Sequence, residues 1–123
     1  MRLFTYALVL ALAIPSLASA QQIFDYSGQA TPYTQVGDGV SMYSIVGNPP
    51  GFTTPLPLDF DNFQYTIVVE GLVVDALGSV SVFNTTSFVG GTVTLYEDDA
   101  TPADYANPAT FTDGTALLIG TLA

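Results

Sequence analysis

Beyond the first twenty residues, apolar and polar positions alternate with the period of a strand, and almost nothing repeats with the period of a helix. The clearest signal is Phe60 to Asp75. Tyr65, Ile67 and Val69 point one way, and Gln64, Thr66 and Val68 the other, which predicts a half-buried strand. Leu72-Val73-Val74 follows Gly71 with both faces apolar, which predicts a bulge at Gly71 that swaps the inward face. Ser79 to Phe83 alternates with Val80 and Val82 inward, after a turn over Asp75 to Gly78. Thr92 to Tyr96 alternates again, with Val93 and Leu95 inward, after Phe88-Val89 and a tight turn at Gly90-Gly91. Ile23 to Ser27, with Phe24 and Tyr26 on one face, and Val40 to Val46 are two earlier strands. Gly28 to Gly39 between them is polar and turn-rich. Ala116 to Leu122 is apolar on both faces and reads as a buried strand.

Four of the eight prolines fall between Gly47 and Leu58. Proline fixes φ and removes a ladder donor, so this stretch is an extended loop. It reads as a crossover between sheets, with a proline-rich ligand segment as the alternative. Short strands at near-regular spacing predict one all-β domain, an antiparallel β-sandwich or jelly roll. No fixed-period repeat points to a solenoid or propeller.

The first twenty residues are of another kind. Met1-Arg2 precedes an apolar run from Leu3 to Ile14, and Ala18-Ser19-Ala20 is a small-x-small cleavage signal. That is the pattern of a secretory signal peptide over residues 1–20, with a domain at 21–123. The run is shorter than the roughly 20 residues of a membrane span. The chain reaches Ala123 still in strand-like sequence, which predicts a fragment of a longer reading frame.

Charge narrows the chemistry. The chain has eleven Asp and Glu residues, one basic residue (Arg2) and no His. Once the leader is removed, no side-chain cation remains, so stability must come from apolar burial and hydrogen bonds. Nucleic acid and anionic membrane surfaces both need cations and are excluded as partners. Glycans, cationic proteins and self-association stay open. No Cys occurs either, so the fold has no disulfide. With no His, Cys, Lys or Arg, a nucleophile has no activating base, a Schiff base has no amine, and zinc has no imidazole. Only a carboxylate pair survives as catalytic chemistry, and the domain is predicted not to be an enzyme.

Five of the carboxylates lie between Gly90 and Gly120: Glu97, Asp98, Asp99, Asp104 and Asp113. Thr101-Pro102-Ala103-Asp104 fits a helix start, with Thr101 as N-cap and Asp104 reaching back, and Asn107-Pro108 ends the turn. Asp113-Gly114 is a turn dipeptide. Glu97, Asp98, Asp99 and Asp104 supply oxygen donors of the kind Ca²⁺ requires, without matching a known calcium-loop spacing. The other reading is a solvated charge run. Asp59 and Asp61, at i and i+2, are a second candidate pair or solvent-facing residues flanking a buried Phe60. Tyr33, Tyr43, Tyr96 and Tyr105 are candidates for a sugar-stacking platform or for plain amphipathic filling. Asn84-Thr85-Thr86 matches the N-glycosylation pattern, or is a polar strand end.

The run Gly91-Thr92-Val93-Thr94-Leu95-Tyr96-Glu97-Asp98, followed by Phe111-Thr112-Asp113-Gly114-Thr115 and Leu117-Leu118, resembles a pattern in uncharacterised secreted bacterial β-sandwich proteins. Many of these carry a PEP-CTERM sorting tail. The resemblance covers about the last third of the chain and brings no catalytic motif. Their tail (Pro-Glu-Pro, an apolar span, basic residues) is not found up to Ala123. The resemblance implies a non-catalytic structural or adhesive domain of the cell surface or extracellular matrix. The competing expectation is a calcium- or carbohydrate-binding module of a larger secreted protein.

Overall fold

The computed structural model describes residues 25–47, 56–99 and 101–123. The expected signal peptide, Ile23 and Phe24 of the first expected strand, and positions 48–55 of the proline-rich loop lie outside the described residues. All the strands belong to one compact unit, Phe24–Pro50 with Leu58–Ala123.

The all-β expectation holds. Six antiparallel strands form one sheet: β1 (Asp25–Ala30), β2 (Gly39–Gly47), β3 (Gln64–Val80), β4 (Phe83–Val89), β5 (Thr92–Asp98) and β6 (Thr115–Thr121). The order is β1-β2-β3-β5-β6, with β4 also on β3. All six strands are linked through one ladder network, so the described residues do not divide into the two sheets expected of a sandwich or jelly roll. β1 and β6 stand at the two ends, and the sheet is not closed. No α-helix is found among the described residues, and none of their helices is long and apolar enough to cross a membrane.

β3 organises the sheet. Its residues Gln64 to Glu70 pair with β5, and Val73 to Val80 pair with β4. Glu70 faces Thr92 and Val73 faces Val89, so the register is unbroken across Gly90-Gly91. β4 and β5 are therefore one return strand, bent where Gly90-Gly91 passes Gly71-Leu72. Gly90-Gly91 is not the tight turn expected from sequence. It is a kink, and it needs positive φ: +74° at Gly71, +70° at Gly90 and +97° at Gly91. L-residues with a Cβ enter that region at a cost.

The bulge expected at Gly71 is present. Val69 faces Met42 and Leu72 faces Val40, so Glu70 and Gly71 together oppose Ser41. The inward face changes across it. Val69 before the bulge and Leu72 and Val74 after it meet in one cluster with Val40, Met42, Tyr33 and Phe88. Before the bulge β3 is not half-buried as expected, because both its faces are covered: Tyr65, Thr66 and Val68 are all buried. On the Thr66–Val68 side the cover is the 3₁₀ helix Pro108–Phe111. The Thr66 hydroxyl donates to the Phe111 carbonyl at 2.7 Å, and the Phe111 ring lies 5.5 Å from Tyr43 and 5.0 Å from Tyr105.

Past Val74 the strand leaves the core. Asp75 to Gly78, expected as a turn, is strand, with a second bulge at Asp75. The true turn is Ser81-Val82, inside the stretch expected as a strand, and Ser81 has φ +57°. Asp75–Val80 and Phe83–Thr85 are exposed throughout, so the end of this hairpin is an open two-stranded ribbon. β6 also departs from expectation. Read as buried, it is an exposed end strand with a bulge at Leu117, and only Gly120 is partly covered. Apolar residues on both faces signalled burial, but among the described residues β6 has a neighbour on one edge only.

The kink makes a prediction. A Cβ on Gly91 would stand 2.9 Å from Leu72 Cδ2 and 3.1 Å from the Glu70 carbonyl, whereas one on Gly37 (φ +95°) would meet nothing within 4 Å. Gly91→Ala should cost about 2–3 kcal/mol, backbone strain plus crowding. Gly37→Ala should cost about 1 kcal/mol, strain alone. Urea denaturation of the two variants checks this, and equal losses would contradict the kink.

Candidate functional site

Two places collect functional side chains, one acidic and one aromatic. The acidic one is built where β3 begins and β5 ends. Tyr65 and Glu97 face each other across the ladder, and the Tyr65 hydroxyl donates to Glu97 Oε2 at 2.7 Å. The Tyr65 hydroxyl oxygen in turn accepts the Asp59 backbone N–H at 2.8 Å, and the Phe60 ring packs on Tyr65 at 4.9 Å. Burial raises the Tyr65 pKa first, and the Glu97 hydrogen bond raises it further. The phenol is thus a neutral donor at physiological pH, not a base.

Asp98 lies one residue further along β5, opposite Gln64. Successive residues of a strand point to opposite faces, so Asp98 is turned away from Glu97. It is buried and lines a recess of about 210 Å³ with Asn62, Gln64, Asp99, Thr101 and Pro102. Asp99 is exposed beside it. Asp104 belongs to a different construction. Its Oδ1 accepts the Ala106 N–H at 2.9 Å, and its own N–H donates to Thr110 Oγ1 at 2.8 Å. The helix start expected at Thr101 is therefore not observed. The helical turn comes later, at Pro108, with Asn107 at its N-cap. Of the expected calcium ligands, Asp98 and Asp99 share a recess, Glu97 is engaged by Tyr65, and Asp104 closes its own turn. Among the described residues no three Asp, Glu, His or Cys side chains come together as a metal-holding group.

Asp59 and Asp61 are not a carboxylate pair on a strand face. Asp59 organises a turn: Oδ1 accepts the Asp61 N–H at 3.2 Å and Oδ2 the Asn62 side-chain amide at 2.7 Å. Asp38, which sequence reasoning passed over, does the same for the loop before β2. Its Oδ2 accepts the N–H groups of Thr34 (2.8 Å) and Gln35 (3.1 Å), and the Thr34 backbone bond is the main cause of its lowered pKa. The Asp38-Gly39 dipeptide was the available signal for it.

The aromatic place is a recess of about 200 Å³ between β1, β2 and the 3₁₀ helix. Tyr43, Tyr105, Phe111 and Pro108 supply its apolar walls, and Gln29 and Thr31 its polar rim. Tyr105 is held across it, because its hydroxyl donates to the Ser27 carbonyl of β1 at 2.8 Å. Of the four tyrosines expected to form a platform, only Tyr43 and Tyr105 meet. Tyr33 packs edge-on against Phe88 at 5.5 Å and donates to Thr86 Oγ1 at 3.0 Å, in the other core cluster. Tyr96 lies on β5 opposite Ala116 and lines neither recess. No side chain lining the aromatic recess carries a charge, which suits a neutral ligand.

Tyr65→Phe removes one donor and one acceptor from a buried network and should cost about 1–2 kcal/mol at neutral pH. In the unfolded chain the phenol ionises near its ordinary value of 10.0, and in the fold above it. The stability that this difference contributes is full below pH 10 and is lost as pH rises from there through the higher folded value. Thermal melts from pH 8 to 11 should therefore fall less steeply for Tyr65→Phe than for the parent. Parallel curves would contradict the network.

No family model matches the chain, and neither a curated protein nor a solved structure is significantly similar to it.

Proposed function

We propose that this chain is a secreted, non-catalytic structural or adhesive domain of the bacterial cell surface or extracellular matrix. The observation that carries the reading is the apolar surface left open at the sheet's extremities. Val80, Val82 and Phe83 stand out at the ribbon end, and Leu117, Leu118, Ile119 and Leu122 along β6 and just past it. Contiguous exposed apolar groups mark surfaces that meet another macromolecule. The carboxylates lend support. Asp38, Asp59 and Asp104 hold turns and Glu97 accepts from Tyr65, so none of the four stands ready as an acid–base pair. Export is the expectation raised by the first twenty residues, and the resemblance of the β5 and β6 stretch to secreted bacterial β-sandwich proteins points the same way.

A second reading, a carbohydrate-binding module, is favoured by the Tyr43–Tyr105 recess. Rings with amide and hydroxyl groups at their rim are what a neutral sugar face requires. Calcium has no comparable support.

The two readings part in one experiment. The exported chain should show no turnover on ester and polysaccharide panels, should stay with the cell-surface fraction of the cells that make it, and should give no signal on a glycan array. Array binding that Tyr105→Ala abolishes would establish the module instead. Turnover by the folded chain would overturn both readings.

A further inference from the structure

We propose that the recess between β1, β2 and the 3₁₀ helix seats one turn of a proline-rich segment of a partner protein, and that a Lys or Arg of that segment pairs with Asp25. The proposal rests on the structural reading above and names the partner by its chemistry. It gives the recess an occupant other than the sugar of the second reading.

The walls favour proline. The Tyr43 and Phe111 rings lie 5.5 Å apart at 60°, and the Tyr105 and Phe111 rings 5.0 Å apart at 45°. The three rings therefore form a wedge, not the flat platform on which a sugar ring lies face down. With Pro108 beside them, they suit a compact aliphatic ring that enters between two ring faces. Aromatic-lined grooves take proline in the polyproline II conformation in this way. Phe111 is buried as the floor, and Tyr43 and Tyr105 are half-buried as the sides. The bond from the Tyr105 hydroxyl to the Ser27 carbonyl sets that side before any ligand arrives. At about 200 Å³ the recess is smaller than the roughly 300–1,000 Å³ of drug-sized pockets. It takes one turn of a chain, about three residues at roughly 3.1 Å each.

The rim supplies what such a chain lacks. A polyproline II segment makes no internal hydrogen bonds, and proline has no N–H to give, so its carbonyls look for donors. Thr31 Oγ1 accepts the Ser41 N–H at 2.9 Å, which leaves its own proton to donate. Gln29 is exposed, and among the described residues no hydrogen bond engages its side-chain amide. That amide brings further N–H donors.

Charge selects the flank of the ligand. The chain has a net charge of -10, with Arg2 its one basic residue, so its field attracts cations. No carboxylate lines the recess itself. Asp25, Ser27 and Gln29 are alternate residues of β1 and share one face. Asp25 is exposed there, about 14 Å from Gln29 at roughly 3.4 Å per residue. A polyproline II chain covers that distance in about four residues at roughly 3.1 Å each. A Lys or Arg at that spacing from the seated proline meets Asp25.

An NMR titration of the exported chain with two synthetic peptides tests this: an oligoproline of about ten residues, and the same peptide ending in lysines. The lysine-bearing peptide should shift the amides of Gln29, Thr31, Tyr43 and Tyr105 with a Kd of about 0.1–1 mM. The lysine-free peptide should bind about 5-fold more weakly, and Asp25→Asn should remove that difference without changing the lysine-free Kd. Gln29→Ala, at an exposed side chain, should weaken both peptides about 5-fold. Tyr43→Ala should weaken them about 10-fold or more, and Val82→Ser at the ribbon end should change neither. No shift at the recess amides up to about 5 mM peptide overturns the proposal. So does binding that Gln29→Ala and Tyr43→Ala leave untouched, which is general attraction to an acidic surface. A neutral sugar that shifts these amides where the peptides do not would overturn it too, and would hand the recess to the second reading. In the first two cases, retention of the exported chain at the cell surface would leave the structural reading standing.

Discussion

One strand pairs along both edges and changes partner halfway, and the rest of the sheet follows from how that is achieved. β3 is seventeen residues long. On one edge it meets β2, and on the other first β5 and then β4. The return strand stays in register only because Gly71, Gly90 and Gly91 adopt positive φ together where the two strands bend. The bend divides β3 into two environments. Up to Val74 its inward residues are among the most buried in the chain, and beyond Asp75 none is covered. A two-stranded ribbon on its own is marginal in water, so the outer half is anchored by the inner half and by the Tyr33–Phe88 contact at its base.

The absence of cations beyond Arg2 sets the second constraint. Carboxylates must then be satisfied by N–H and O–H donors, and four of them show how. Asp38 caps the loop entering β2, Asp59 closes the turn entering β3, Asp104 shapes the segment before the 3₁₀ helix, and Glu97 accepts from Tyr65. Each binds donors close in sequence or across one ladder. The acids thus act as local turn-formers and tie the ends of strands to their loops. This explains how an acidic chain tolerates part of its own charge, and why Glu97 and Asp104 do not join Asp98 and Asp99 in one site.

How far the sequence could be read follows from the same physics. The alternation around Tyr65–Val69 and the bulge at Gly71 were legible, because period two and a lone glycine in a strand carry direct geometric meaning. The ribbon turn was not. Asp75-Ala76-Leu77-Gly78 has turn-forming residues but lies in a strand, and the turn falls on Ser81-Val82, where an L-residue takes φ +57° without the usual Gly or Asn. The Gly90-Gly91 pair reads equally well as a hairpin turn or a kink, and only the register of β3 decides. β6 was misread because composition records how apolar a strand is and not how many neighbours it has. In the candidate site, the pairing of Tyr65 with Glu97 depends on a partner 32 residues away in sequence. The meeting of Tyr43 with Tyr105 depends on where the 3₁₀ helix docks. Neither distance is written in local pattern.

The apolar groups at the sheet's extremities acquire meaning in this frame. They are where a kinked central strand and an end strand run out of neighbours among the described residues. The most direct test of the division of β3 is amide hydrogen exchange along that one strand. The account predicts that Thr66 to Val69 exchange slowest, near the rate of global unfolding, and that Leu77 to Val80 exchange orders of magnitude faster through opening of the ribbon. Uniform protection from Gln64 to Val80 would contradict it.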